Sequence, residues 1–411
     1  MSEPLTIDPR SLGARLHTLA SRDAAGRYTV LGEIARGGMA SVLRVWDGDF
    51  QRPLAMKVLL SGDRESGQGA SDRQEMQKLY RFLREAQITA QMDHPGIVRV
   101  HDIGTNVDGD VYFTMGLIEG RDLGEIIDLA RRKEQGWHLA SALEVIIKVC
   151  ETVAHAHSRS VIHRDLKPSN VMVGRCGRVY VMDWGLAKVI GRGDRCGRRS
   201  RMNVDAESLT RWDASARDAT PLMTLDGNVL GTPSYMSPEQ AQGNIEDLGP
   251  RSDVYSVGAM LYTLLTGYMP YVRPHARVTA QTILVAARNG PPPPIADLDP
   301  GAPPELVAIC DKAMARKIED RYADMNAVIQ DLRAYLESRV VSVYRTGIFA
   351  RCIKWTVRNR SLSVGMALVL AMAVAAGIGV SHIRSTADAE LRQVHLELLK
   401  ARGDATMAND T

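Results

Sequence analysis

Residues 163–170 read His-Arg-Asp-Leu-Lys-Pro-Ser-Asn, and Asp183-Trp184-Gly185 begins thirteen residues beyond Asn170. Phosphoryl transfer needs an acidic group to orient a hydroxyl, a cation on the migrating phosphate, and oxygen ligands for magnesium. Asp165, Lys167, Asn170 and Asp183 are the candidates for those parts. Two short apolar segments, Val171–Val173 and Val179–Met182, flank a turn that carries Gly174 and Gly177. They predict a hairpin that brings Asn170 and Asp183 together.

Upstream, Tyr28–Ile34 and Leu43–Trp46 read as two strands around Ala35-Arg-Gly37-Gly38-Met-Ala40-Ser-Val42. A strand, glycine turn and strand in that order can lay backbone amides over phosphates, although two glycines alone could serve only the turn. Lys57 lies in the apolar run Leu54-Ala-Met-Lys-Val-Leu59, and burying an ammonium without a partner is costly, so an anion is expected nearby. Glu85, in the helical pattern Leu79–Ile88, is that candidate, and the pair would be positioned for the α- and β-phosphates. Between Ser61 and Gln77, Gly, Ser and alternating charges predict a surface loop. Val111–Met115 reads as a strand that enters a hinge, where the backbone near Gly116 and Ile118 would face an adenine. Leu143–His157 has the period of an amphipathic helix leading into the His163 segment, and helices are expected again from Pro304 to Leu336.

The whole chain has 411 residues, 45% of them apolar, which is enough for one large two-lobed domain with appendages and excludes disorder throughout. A formal charge of +3 with no basic block interleaved with aromatics argues against a nucleic-acid partner. The five cysteines never fall at CxxC spacing, so they read as reduced cytosolic thiols, neither a zinc site nor a disulfide framework.

In this order the motifs resemble those of eukaryotic-type protein kinases, specifically the membrane-anchored bacterial serine/threonine kinases. The resemblance spans about residues 28–336 and includes the glycine loop, Lys57, Glu85, HRDLKPSN, DWG, Gly231-Thr-Pro-Ser-Tyr-Met-Ser-Pro-Glu239, Asp253 and Arg321. It implies an α+β bilobal fold, with a small β-rich N-lobe at about 28–115 and a large helical C-lobe at about 120–336, followed by a single transmembrane helix. It implies ATP and Mg2+, with Mn2+ an acceptable substitute, and protein serine and threonine as acceptors, because Lys167-Pro168-Ser169 stands where tyrosine kinases differ. Asp165 would orient the substrate hydroxyl, Lys167 would steady the γ-phosphate, and Asn170 and Asp183 would hold the metal. The nucleotide would lie under Ile34, Ala35, Arg36, Gly37, Gly38, Met39, Ala40, Ser41 and Val42, against Lys57 and Glu85. Glu239 and Arg321 resemble the family's buried ion pair, Asp253 resembles the helix-start residue that holds the HRD backbone, and Thr232 resembles a threonine that bridges to the catalytic aspartate.

Ala35 and Ala40 stand where the family has the first and third loop glycines, Trp184 replaces the phenylalanine of DFG, and Ser237 replaces the alanine of APE. No charged participant is lost. The competing class is a membrane-anchored pseudokinase or weakly active nucleotide-binding scaffold, which normally lacks the lysine or one of the two aspartates kept here. The arginine-rich stretch Lys188–Thr224 reads as a solvated insertion or as a regulatory loop phosphorylated at Thr220 or Thr224, with Arg164 as the docking cation.

Residues 1–27 lack the apolar core of a secretory signal and read as a flexible lead. Leu362–Val380 is uncharged, and its nineteen residues would reach roughly 28 Å as a helix, close to the hydrocarbon thickness of a bilayer. A span is therefore expected at 362–381, after a basic juxtamembrane segment at 337–361 and before a short tail at 382–411. Arg351, Lys354, Arg358 and Arg360 crowd its N-terminal flank, which puts the kinase domain in the cytoplasm and the C-terminus outside an inner membrane. Ala367, Ala371, Ala375 and Gly379 recur every four residues, a spacing that would let a second copy of the helix approach and form a homodimer.

Overall fold

Alternating side chains and tight turns build the first layer. In the computed structural model, which describes residues 26–60, 72–106, 109–189, 233–274, 276, 278–344 and 360–409, β1 (Tyr28–Arg36), β2 (Ala40–Asp47) and β3 (Arg52–Leu59) form an antiparallel meander. With β4 (Val100–Thr105) and β5 (Val111–Gly116) they complete a five-stranded sheet in the order β1-β2-β3-β5-β4. Residues paired across neighbouring strands share a face, so the register Val42, Lys57, Phe113 puts the lysine on one surface with an aromatic. Helix α1 (Asp72–Gln91) packs there, burying Phe82, Leu83 and Ala86 against Phe113 and Val111. Glu85 sits on the same stripe at helical spacing and is thereby aimed at Lys57.

Below the sheet, β6 (Gly120–Asp122) leads to α2 (Leu123–Arg132) and α3 (Leu139–Ser158). β7 (Val161–Ile162) pairs with β10 (Lys188–Val189), while β8 (Val171–Gly174) and β9 (Val179–Val181) form the expected hairpin beside β6. Then come α4 (Pro238–Gln242), α5 (Pro250–Thr266), α6 (Ala280–Asn289), α7 (Ile295–Leu298), α8 (Pro304–Ala313) and α9 (Met325–Leu336). Helix α5 is the axis of this lobe: fourteen of its seventeen residues are buried. It starts with proline in its first turn and stops at Gly267, whose φ of 79° suits glycine. A side chain at Gly267 would also meet the Arg131 guanidinium at 2.7 Å.

Two boundaries differ from the sequence expectation. Helix α3 begins at Leu139 rather than Leu143, because His138 and Ser141 cap each other reciprocally and satisfy the free amides of the first turn. The polar stretch expected as loop from Ser61 to Gln77 is helical from Asp72 onward, since α1 extends two turns past its apolar face. Among the described cysteines, Cys150 and Cys310 are buried, Cys176 is exposed, and all three are unpaired.

The chain divides into two units, the second comprising Ser338–Val340 and Arg345–Thr411. That unit contains α10 (Arg360–Asn409), a single helix in which Leu368–Ala389 is long and apolar enough to cross a membrane, with mean hydropathy 1.6. Leu368, Leu370, Met372 and Ile378 are all exposed on it.

The helical lobe is closed by one buried ion pair. Arg321 Nη1 and Nη2 donate to Glu239 Oε1 and Oε2 at 2.8 and 2.7 Å, and Ser252 Oγ adds a bond to Oε1 at 2.7 Å. Burial alone would raise the Glu239 carboxyl, but the arginine holds it below the ordinary carboxylate range. Arg321→Met should therefore cost about 3–5 kcal/mol in denaturant unfolding by stranding a buried charge. Arg321→Lys should recover only part, because an ammonium cannot grip both oxygens. A loss below about 1 kcal/mol for the methionine variant would show that the pair is dispensable.

Candidate active site

The loop that carries His163 to Asn170 begins with strain. Arg164 has φ 70° and Asp183 has φ 61°, left-handed conformations that a side chain disfavours. The loop holds this shape because both sides of the Arg164 peptide are gripped. Asp253, fully buried at the start of α5, accepts from His163 N at 2.8 Å and from Arg164 N at 2.9 Å. On the other side, Gln240 Nε2 donates to Arg164 O at 2.7 Å. His157 Nε2 lies 2.8 Å from Asp253 Oδ2 and donates to it. Burial would raise the Asp253 carboxyl, yet the His157 hydrogen bond brings it below the ordinary aspartate value.

His163 links the two motifs named first. Its Nε2 lies 3.0 Å from Met182 O and its Nδ1 accepts from Asp165 N at 3.3 Å, so one tautomer serves both. Trp184 packs against it with ring centres 4.5 Å apart and donates Nε1–H to Val181 O at 3.1 Å. A phenylalanine could not make that bond.

The hairpin brings Asn170 and Asp183 together as its pattern predicts. Val171 pairs with Val181, and Met182 N donates to Asn170 O at 2.7 Å. Asn170 Nδ2 donates to Asp165 O at 2.8 Å and to Asp165 Oδ2 at 3.1 Å, which turns its amide oxygen the other way. Lys167 Nζ sits 2.7 Å from Asp165 Oδ2. The Asp165 carboxyl is pushed above its usual value by burial, with Lys167 opposing.

Across the cleft, Lys57 Nζ lies 2.6 and 2.8 Å from the two Glu85 oxygens and 3.6 Å from Asp183 Oδ1. Burial would lower the ammonium, but the two carboxylates raise it above the ordinary lysine value. Asp183 is held below its usual range, because Lys57 more than offsets the effect of burial. Its side chain is still 47% exposed, so it can meet a ligand from the cleft. Gly185 allows the close approach of these charges: a Cβ there would lie 3.1 Å from Glu85 Oε2 and 3.3 Å from Asp183 Oδ1.

The loop over the cleft turns at Gly37, whose N donates to Ala40 O at 2.9 Å. Ile34, Ala35 and Arg36 end β1, Gly38 and Met39 form the tip, and Ala40, Ser41 and Val42 begin β2. Where β5 ends, Gly116 N donates to Arg99 O at 3.2 Å, and Ile118 lies in the segment between β5 and β6. Thr220, Thr224 and Thr232 lie outside the described residues.

Asn170 and Asp183 fit magnesium by the chemistry of their donors. An amide oxygen and a half-exposed carboxylate are hard oxygen ligands, and Mg2+ takes few of these from protein and the rest from phosphate and water. Among the described residues there is no cluster of three or more His, Cys, Asp or Glu side chains suited to a metal.

Sequence reading missed Gln240 and the contact of His157 with Asp253. The Ser237-x-x-Gln240 spacing signals a helix start, but the reach of Gln240 to Arg164, 76 residues away, is a tertiary contact with no local mark.

The protein kinase domain family matches residues 28–331. The serine/threonine-protein kinase PknD of Protochlamydia amoebophila (strain UWE25) is 32% identical over 320 residues, covering 76% of this chain and 30% of that protein. PknD of Chlamydia trachomatis serovar D is 34% identical over 324 residues, covering 76% of this chain and 32% of its own length. PknD of Chlamydia pneumoniae is 31% identical over 320 residues, with 76% and 31% covered. The chain thus spans about a third of the length of these curated relatives.

Because the Asp253 carboxyl is depressed in the folded state, its stabilising contribution is present above about pH 3.9, the unfolded value, and is lost as pH falls through the folded value. Asp253→Asn should therefore lower stability by about 3 kcal/mol at pH 7, leaving one loop N–H without its acceptor. The gap between variant and parent should narrow below pH 4 in urea unfolding. A gap independent of pH would rule out an ionised Asp253 in the folded protein.

Proposed function

The chain belongs to the protein kinase family, and on that premise we propose that it transfers the γ-phosphate of ATP to serine and threonine hydroxyls of proteins, itself included. One observation carries this reading most directly. The Lys57 ammonium bridges Glu85 and Asp183, while Asp165, Lys167 and Asn170 face the same cleft from a loop locked by Asp253. A scaffold that only bound nucleotide would have no use for a half-buried aspartate and lysine held 2.7 Å apart beside it.

Each residue then has a physical task. Lys57, kept charged by its two carboxylates, attracts the α- and β-phosphates. Asp165 orients the acceptor hydroxyl and takes its proton, a role that suits a carboxyl raised toward neutrality. Lys167 sits within reach of the same oxygen and offsets the charge on the migrating phosphoryl group. Asn170 and Asp183 would hold Mg2+, which when bound neutralises phosphate charge. The loop from Gly37 to Met39 covers the nucleotide, and the hinge at Gly116 and Ile118 positions its base. Lys167-Pro168-Ser169 favours serine and threonine over tyrosine.

We further infer that α10 crosses the membrane once, with the kinase domain cytoplasmic, from the apolar stretch Leu368–Ala389 and the basic residues ahead of it. Self-association of that span through Ala371 and Ala375 is read by an in-membrane association assay of the full chain. Ala371→Ile with Ala375→Ile should weaken the signal severalfold, and an unchanged signal excludes that face.

For the reaction, labelled phosphate from MgATP should enter a generic protein substrate and the chain itself. Asp165→Asn should cut the rate by at least about a hundredfold. Equal, negligible incorporation by both proteins would favour the scaffold. The same incubation should place phosphate between Ser200 and Thr232, with Thr220 and Thr224 the expected acceptors, and its absence there would remove autophosphorylation of that segment. The acid limb of kcat/KM should lie above the ordinary aspartate value of about 3.9 and move to higher pH in Lys167→Ala. That direction follows because the ammonium lowers the carboxyl it faces.

A further inference from the structure

Helix α9 ends at Leu336, and the backbone turns left-handed at Ser338, with φ 54°. Beyond that turn the chain returns to the kinase unit. Val341 is fully buried in the large hydrophobic core, and Val343 and Tyr344 pack against it. Residues Val341–Tyr344 are the last of this unit, and the unit containing α10 resumes at Arg345. These four residues are thus the last described segment of the kinase unit, and their packing depends on what holds them.

A carboxylate fastens them. Asp331, in α9, is 4% exposed and accepts three hydrogen bonds. Tyr322 Oη donates to Oδ2 at 2.8 Å, Ser342 N donates to Oδ1 at 2.8 Å, and Ser342 Oγ donates to Oδ2 at 2.7 Å. A buried carboxylate is stable where charge-assisted bonds surround it, and two of the three come from Ser342. Yet Ser342 is itself exposed, between the buried Val341 and the half-buried Val343. A hydroxyl on an exposed residue that donates to a buried anion is a contact that chemistry at the oxygen would reverse in sign.

The geometry points to Ser342 as a phosphorylation site whose modification releases Val341–Tyr344 from the rest of the kinase unit. The phosphate source rests on the kinase activity proposed above. Ser342 Oγ attacks the γ-phosphorus of ATP bound to a second copy. Its proton passes to that copy's Asp165, the new P–O bond forms, and the old bond breaks with its electron pair leaving on ADP. The nucleotide is assigned to a second copy because Ser342 Oγ is held by Asp331 of α9 in its own chain. The product carries about −1.5 to −2 charges where a proton donor had been, and the first oxygens it meets are those of Asp331. The hydroxyl's hydrogen bond is lost, like charges are forced together, and the Ser342 N–H bond fails with them. With the polar clamp gone, only the burial of Val341 and its neighbours opposes solvation of the segment.

The full chain in detergent, incubated with MgATP and digested, should yield a phosphopeptide containing Ser342. Amide hydrogen exchange over Val341–Tyr344 should become about tenfold faster or more in the phosphorylated chain and in Ser342→Glu, reporting local opening. Ser342→Ala should accelerate it much less, because the backbone bond to Asp331 survives. Phosphate elsewhere on the chain but none on Ser342 overturns this inference and leaves the kinase reading intact. No phosphate on the chain or on a generic substrate overturns both. Exchange in Ser342→Glu equal to that of Ser342→Ala overturns the release, whatever the modification state.

Discussion

A left-handed arginine costs its chain about 1–3 kcal/mol unless something compels it, and the rest of the site depends on what compels Arg164. Its N–H is held by Asp253 and its carbonyl by Gln240, so helices α5 and α4 both grip a single residue of the catalytic loop. Helix α5 can supply an immovable carboxylate because nearly all of it is buried, and α4 is fixed in turn through Glu239, Ser252 and Arg321. Rigidity is thus passed from the hydrophobic core to the loop through charge-assisted bonds. Asp165 follows Arg164 directly, and its position is set by this arrangement more than by any contact of its own.

The N-lobe meets this fixed floor through charge. Lys57 is brought to the cleft by strand register, Glu85 by helix phase, and Asp183 by a hairpin from the other lobe. Three elements with no sequence proximity converge within 3.6 Å of one ammonium. Because Lys57 is largely buried, moving α1 away would strand its charge, so the position of that helix and the charge balance of the cleft are coupled. Val181 N, bonded to Gly96 O at 2.8 Å, adds a neutral link between the hairpin and the segment that follows α1.

Much of this was legible in the sequence where the chemistry is local. The hairpin between Asn170 and Asp183 followed from two short apolar runs and a glycine turn, and the Lys57–Glu85 pair from the cost of burying a lysine. Asp253 and Arg321 were legible only through resemblance, since nothing in their own neighbourhoods marks a buried carboxylate or its partner. Gln240, the Trp184 hydrogen bond and the Asp331–Ser342 clamp were not legible at all. Each depends on which side chain the fold brings opposite a backbone or carboxylate group, and that is decided by packing over tens of residues. The start of α1 was misplaced for a different reason: its first two turns are polar all round, so hydrophobic period is silent there.

The two alanines in the nucleotide loop can be placed on the same terms. Ala40 is 7% exposed and belongs to the cluster of Phe82, Leu83 and Phe113, so its methyl group is spent on N-lobe packing and does not intrude on the cleft. Ala35 pairs with Val42 in the β1–β2 ladder, where an alanine costs nothing sterically. Gly37 and Gly38 remain at the tip, with only Ala40 O, at 3.5 Å, near a side chain added at Gly37 and nothing near one at Gly38. Alanines at the outer positions therefore remove backbone freedom from the two arms of the loop while leaving it at the tip. The entropy that ordering of this loop would cost is correspondingly smaller.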